Sequence, residues 1–360
     1  MKRYFLYTFL LSALVLVSAC KSKEPKTTCL YGNEIPESEL DLIFQTSEQL
    51  ISLVTKGELA KVYEAGTEEM KSRQNRDQFV HAFDLFVQTF GDVEYPRLEE
   101  PYFMESQAKD ESVWIPCNLG EPGVNDLYGM PANRQFAVTV YRAHTEMEEV
   151  RVIMQFEKRE DQWLLRSLSL NPMTLKKRLY THYADKANEY REQNKLHVAV
   201  LYYKTSMLLS EMGLNVVEAV VTTLQDQINQ VKVDYMPSGE TQIWATDSGY
   251  NYKVYNLDPA YDNGNLLVQI SYLTQSLKDH DKLKREAWDL ARFLDKKFPE
   301  YRLGFDGIRV TAAPEARSEL WTAYHTVINF SELDKTPERK PGAHGINPGK
   351  KRPGTSSRDT

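Results

Sequence analysis

The apolar residues of this chain change their spacing along its length, and that constrains the fold more than any other feature. From 36 to about 92 they recur at helical intervals. Leu40, Ile43, Phe44, Leu50, Ile51 and Val54 form one stripe that ends at Gly57. Phe79, Ala82, Phe83, Phe86, Val87 and Phe90 form another that ends at Gly91, with a short helix expected between Gly57 and Gly66. Asn75 or Asp77 supplies an N-cap for the helix before Gly91. After Gly91 the period becomes two. Strands are expected at 94–105, 111–117, 134–144, 149–158 and 162–170, where Val150, Val152, Met154 and Phe156 alternate with polar residues. Arg159-Glu160-Asp161 reads as a hairpin turn, and Asn171-Pro172 closes the unit. Helices followed by an antiparallel meander predict an α+β domain with its helices on one face of the sheet.

From 174 to 235 the helical period returns, with a hairpin and a third helix at 214–232. From 240 to 330 the pattern is mixed. Strands at 251–257 and 265–273 flank Asp262-Asn263-Gly264, a strong hairpin signal. A helix at 279–297 carries Leu283, Ala287, Leu290, Ala291 and Leu294 on one face, and strands follow at 305–311 and 324–330. A strand, a crossover helix and a returning strand imply at least one parallel pair.

With 360 residues and 41% hydrophobic content the chain suits two or three domains, each able to bury a core. A formal net charge of −7 argues against a nucleic-acid partner. Three cysteines exclude a disulfide-dense scaffold and a four-cysteine zinc site. Catalytic signatures are missing: there is no G-x-S-x-G, H-E-x-x-H, P-loop or G-x-G-x-x-G. The seven histidines are scattered, and Asp258, Asp262, Asn263 and Asn265 miss the spacing of an EF-hand loop. No cofactor, no metal site and no catalytic residue is therefore assigned.

The two ends differ from the body. Lys2 and Arg3 precede an apolar run from Tyr4 to Val17, too short to span a bilayer but suited to a secretory signal. The run closes on Val17-Ser18-Ala19-Cys20. This resembles the lipobox of bacterial lipoproteins. The resemblance implies cleavage before Cys20, its acylation by diacylglycerol and palmitate, and membrane anchoring through two or three acyl chains. Lys21 departs from the aspartate that retains lipoproteins in an inner membrane, so a Gram-negative host implies the outer membrane, facing the periplasm. With Cys20 acylated, Cys29 and Cys117 are the cysteines left, as a disulfide in an oxidising compartment or as two thiols. Residues 331–360 carry seven Lys/Arg against four Asp/Glu and are rich in Pro and Gly; a disordered basic tail is expected. Such a tail touches anionic lipid or cell-wall polymer, or is simply solvated.

Two further resemblances are of pattern. The order of a long helix, a short one, an Asn/Asp-started helix and four or five strands over 38–171 resembles the NTF2-like superfamily. That implies a cone-shaped cavity between helices and sheet, used in some members as an active site and in many as a binding pocket. His81, Tyr141 and His144 are the residues such a cavity offers as general base or oxyanion donor. The ordinary reading sets His81 beside the apolar stripe facing solvent, and Tyr141 at a half-buried sheet position. In 173–235, Tyr183, Ala187, Tyr190, Ala199, Tyr203 and Ser206 resemble one tetratricopeptide unit, with Tyr183 where the motif has Trp and Ala187 where it has Gly.

The chain is accordingly divided into a signal peptide (1–19), a tether (20–35), an NTF2-like domain (36–172), a helical segment (173–235), a C-terminal α+β domain (236–330) and the tail (331–360). The function expected is that of a lipid-anchored envelope protein with a non-enzymatic binding or scaffolding role, attached to the membrane through Cys20 and meeting an envelope protein partner. The alternatives are an isomerase- or hydrolase-type enzyme, or a small-ligand carrier, in the same cavity.

Overall fold

The structure is a computed structural model that describes residues 27–106, 112–115, 126–129, 134–211, 218–237, 240–316 and 323–335. It is mixed α+β, and its contacts divide it into two units. One comprises residues up to Val233 together with Pro259–Leu266; the other comprises Asp234–Asp258 and residues from Leu267 onward.

The first unit opens with strand β1 (Thr27–Tyr31), followed by helices α1 (Glu37–Thr55), α2 (Leu59–Glu64), α3 (Glu68–Arg73) and α4 (Arg76–Phe90). Asn75 caps α4 in a reciprocal box: Gln78 N donates to Asn75 Oδ1 at 2.9 Å, and Asn75 N donates to Gln78 Oε1 at 3.1 Å. Gly91 ends that helix at φ +94°, a conformation that suits glycine. Strands β2 (Glu94–Ser106), β3 (Ser112–Ile115), β4 (Asp126–Gly129), β5 (Arg134–His144), β6 (Glu149–Arg159) and β7 (Gln162–Pro172) follow. β3 and β4 pair with each other, and the main sheet runs β1-β2-β5-β6-β7, antiparallel throughout. Register shifts in β2 and between Gln155 and Phe156 mark bulges, which bend a sheet.

One face of this sheet and the helices share one core. It takes Ile43, Leu50, Ile51 and Val54 from α1, Phe79 and Phe83 from α4, and Tyr141, Val152, Met154, Phe156 and Leu165 from the strands. The opposite face has its own apolar set, Tyr102, Met104, Phe136, Val138, Val140 and Ile153, against which Cys29 packs. β1 lies inside the segment expected to be a tether. Its backbone pairs with β2 from Thr27↔Ser106 to Tyr31↔Tyr102, and this pairing, which local propensity does not encode, makes it a strand.

Helices α5 (Tyr180–Glu192), α6 (Leu196–Glu211) and α7 (Glu218–Gln230) complete this unit. The small residues Ala187 and Ala199 and the rings of Tyr183 and Tyr203 are all buried, and Ser206 Oγ donates to Tyr180 O at 2.8 Å. The link from β7 to α5 is fastened by Glu148, which is buried. Its carboxylate accepts from Thr174 Oγ1 (2.8 Å), Lys176 N (2.5 Å) and Lys177 N (2.9 Å). Both lysines stand at left-handed φ, +51° and +59°, which turns their N–H groups onto one anion.

The remaining elements are β8 (Gln242–Ala245), β9 (Asn251–Asp262), β10 (Asn265–Leu273), helix α8 (His280–Lys297), β11 (Gly307–Ala313), β12 (Tyr324–Asn329) and helix α9 (Phe330–Lys335), and all of them belong to the second unit except Pro259–Leu266 at the tip of the β9–β10 hairpin. The strand order is β12-β11-β10-β9-β8. Asn263 and Gly264 both take positive φ, +49° and +77°, as a type I′ hairpin turn requires. β10 and β11 are parallel, from Leu267↔Gly307 to Leu273↔Ala313, with α8 as the crossover. Gly307 admits the neighbouring backbone: a Cβ there would lie 2.6 Å from Ile328 O. Leu283, Ala287, Leu290, Ala291 and Leu294 of α8 are buried, as their spacing implies. The first five residues of the expected disordered tail are helical instead. Leu333 is buried, and Arg302 joins Asp295 (2.7 Å) to Asp334 (2.9 Å), which ties α9 to the fold. Residues 336–360 lie outside the described part.

Candidate functional site

The sequence directs attention to the inner face of the first sheet. Along β5 the inward positions are Ala137, Thr139, Tyr141 and Ala143, all almost wholly buried. They oppose Phe156, Met154, Val152 and Val150 on β6. Alanines at two of four positions leave room above the strand for the ring of Tyr141 to reach α1. Its hydroxyl lies 2.9 Å from Ser47 Oγ and 3.0 Å from Glu48 Oε1. Burial pushes this phenol up, and the Glu48 carboxylate adds to the effect. Tyr141 is therefore a neutral hydrogen-bond donor at neutral pH.

Two polar atoms on the same inner face have no hydrogen-bond partner among the described residues: Thr139 Oγ1 and Trp163 Nε1. Trp163 packs edge-on against Phe103, with centroids 6.2 Å apart. Near it, Lys158 Nζ lies 5.9 Å from the indole centroid and is ion-paired to one oxygen of Glu39. The other oxygen of that carboxylate, Oε2, is buried and without a partner. A buried hydroxyl or N–H without a partner costs on the order of 1–3 kcal/mol. Native interiors contain few such atoms.

Of the three residues singled out in the sequence, the structure brings only Tyr141 to this face, and buries it fully where a half-buried position was expected. His81 is exposed on α4, and His144 is exposed at the end of β5, opposite Glu94 and Glu149. Tyr141 meets Ser47 and Glu48 of α1 instead, while Thr139 lies two residues before it on β5 and Trp163 stands opposite Lys158, toward the other end of the sheet. Nothing in their spacing marks them, because a threonine and a tryptophan in alternating strands look like ordinary sheet residues. The chemistry this face offers is hydrogen bonding by neutral donors inside hydrocarbon. Among the described residues no group of three or more His, Cys, Asp or Glu could hold a metal ion.

Of the residues named for modification, Cys29 is disulfide-bonded. Cys20 and Cys117 lie outside the described residues. No described helix is long and apolar enough to cross a membrane. In comparisons with known proteins, no family model, no curated protein and no solved structure matches this chain.

Proposed function

We propose that this is a lipid-anchored, extracytoplasmic envelope protein, held by acylated Cys20, whose globular units bind or scaffold rather than catalyse. One observation carries the non-enzymatic half. The inner face of the first sheet is filled by residues such as Phe79, Phe83, Val152, Met154, Phe156 and Leu165, while both candidate imidazoles stand apart at the surface. Acid–base catalysis needs a base within reach of the proton it takes, and His81 and His144 do not converge. The disulfide at Cys29 supports the location, since such bonds persist in oxidising compartments. With Cys20 carrying acyl chains, its partner is Cys117.

The experiment is metabolic labelling with palmitate. Wild-type protein takes up label and fractionates with membranes, Cys20→Ser does neither, and an unlabelled wild type overturns the reading. Mass spectrometry without reductant adds the second arm. A peptide joining Cys29 to Cys117 is expected, and an alkylatable Cys117 in the wild type removes the pairing.

A second reading is favoured by one specific observation. The Thr139 hydroxyl, buried and without a partner among the described residues, suits an acceptor group on a small neutral ligand carried within an NTF2-like cone. Ligand-dependent thermal shift across a panel of small carbonyl compounds tests it, because a bound ligand raises the unfolding temperature by mass action.

A further inference from the structure

In the second unit, three aromatic rings converge on one ammonium group, and a fourth packs behind them. Tyr235 lies ahead of the sheet, Trp244 is on β8, and Phe293 and Phe298 flank the end of α8. The ring of Tyr235 is 5.8 Å from Trp244, 5.8 Å from Phe293 and 6.0 Å from Phe298. Trp244 and Phe293 are 5.8 Å apart. The base of the cluster is fixed. Trp244 is fully buried and its Nε1 donates to Gln242 Oε1 at 3.3 Å, while Gln242 Nε2 donates to Met236 O at 3.2 Å. Tyr235 itself stands at φ +58°, an uncommon conformation for a bulky residue, held by the packing around it.

Lys297 is the last residue of α8 and one turn beyond Phe293, so both project from one side of the helix. Its Nζ lies 4.1 Å from the Tyr235 centroid, 5.7 Å from Phe293 and 6.0 Å from Phe298. The other cations in this molecule that lie over rings meet a single ring each among the described residues: Lys158 on Trp163, Arg166 on Phe136, Arg292 on Trp288 and Arg302 on Phe330. Convergence of three π-faces on one nitrogen is how proteins recognise alkylammonium groups. The place suits a cation for a second, independent reason. The carbonyl end of a helix carries partial negative charge, and this nitrogen sits at the end of an 18-residue helix.

We propose that Tyr235, Phe293 and Phe298, backed by Trp244, form a binding cage for quaternary ammonium groups, and that Lys297 is its internal occupant. Lys297 is an exposed residue on a flexible stem, so its head can leave for water without disturbing the fold. A trimethylammonium group fits the rings better than a primary ammonium does, because it sheds less hydration and presents methyl groups to all three faces. The ligand is then a choline- or betaine-like molecule, free or as a lipid headgroup.

The test is a nuclear magnetic resonance titration of the full chain with tetramethylammonium chloride, referenced to equal sodium chloride, following the aromatic ring signals. Saturable binding to the wild type is expected. Lys297→Ala, which empties the cage, should bind about two- to fivefold tighter, the factor that one exposed cation–π competitor imposes. Phe293→Leu keeps apolar volume but removes a π-face and should bind measurably more weakly, with an unchanged unfolding curve showing that the fold persists. Phosphatidylcholine vesicles compared with phosphatidylglycerol vesicles, and free choline, separate the sources: capture by the former assigns a lipid headgroup, saturation by choline alone a soluble ligand. The proposal is overturned if wild type and Lys297→Ala both fail to bind the probe, or if Phe293→Leu binds it as tightly as the wild type.

Discussion

In the second unit, two tyrosines that the sheet aims at its helix each meet a carboxylate: Tyr252 donates to Asp289 at 2.9 Å and Tyr272 to Glu286 at 2.8 Å. Asp289 Oδ2 also accepts from Thr246 (2.7 Å) and Ser248 (2.5 Å). In the first unit the equivalent sheet-to-helix interface satisfies Tyr141 but leaves Thr139 Oγ1 and Trp163 Nε1 without partners. The two interfaces differ in how they treat buried donors. A buried donor that has an acceptor strengthens its interface, as Tyr252, Tyr272 and Tyr141 do, whereas one without an acceptor carries a desolvation penalty. Thr139 and Trp163 are therefore the positions at which the contrast between the two interfaces is tested.

The comparison can be broken in order of effect. Asp289→Ala strips three hydroxyls of their acceptor and should destabilise the second unit by about 2–3 kcal/mol, measured by urea unfolding. Thr139→Val performs the opposite operation on the first unit. It replaces an unpartnered hydroxyl by a methyl group of the same size and should stabilise by about 1 kcal/mol. An unchanged or lowered midpoint would show that the hydroxyl is satisfied in solution, and would erase the contrast between the units.

Tyr272→Phe should cost about 1 kcal/mol at neutral pH, since Glu286 then loses a donor. It also tests a pH dependence. Burial first, and the neighbouring carboxylates second, hold the protons of Tyr252 and Tyr272 more tightly in the folded state. Their contribution is complete below the unfolded tyrosine value of about 10 and is lost as pH rises above it. The Tyr252→Phe/Tyr272→Phe pair should therefore flatten the alkaline limb of the stability curve.

The smallest effect sits on α5. Burial, then Arg178 and Lys186, lower the His182 pKa, so the unfolded chain takes up the proton first as pH falls. Stability is complete above the unfolded histidine value of about 6.5 and declines below it. His182→Gln should remove that part of the acid limb and leave neutral stability unchanged.

Much of the architecture was legible because it rests on local rules. The Asn75 box, the Asn263-Gly264 turn and the apolar stripe of α8 each need only residues close in sequence. β1 escaped notice because a five-residue strand is defined by its partner, some seventy residues away. Helix α9 escaped because Arg302, outside the tail, supplies the charge that fixes it. The candidate site was only partly legible. Tyr141 could be named, but alternation says that Thr139 faces inward and not that its hydroxyl finds no partner there. The aromatic cage was hidden altogether, since its members come from positions 235, 244, 293 and 298.

By itself the sequence determined the alternation of helices and strands, the hairpin and the crossover. These follow from side-chain period, backbone preference and local hydrogen bonding, which act over a few residues. Only the tertiary structure decided which donors are paired and which rings converge on a cation. Those outcomes depend on distances between segments far apart in the chain, set by packing the whole molecule together.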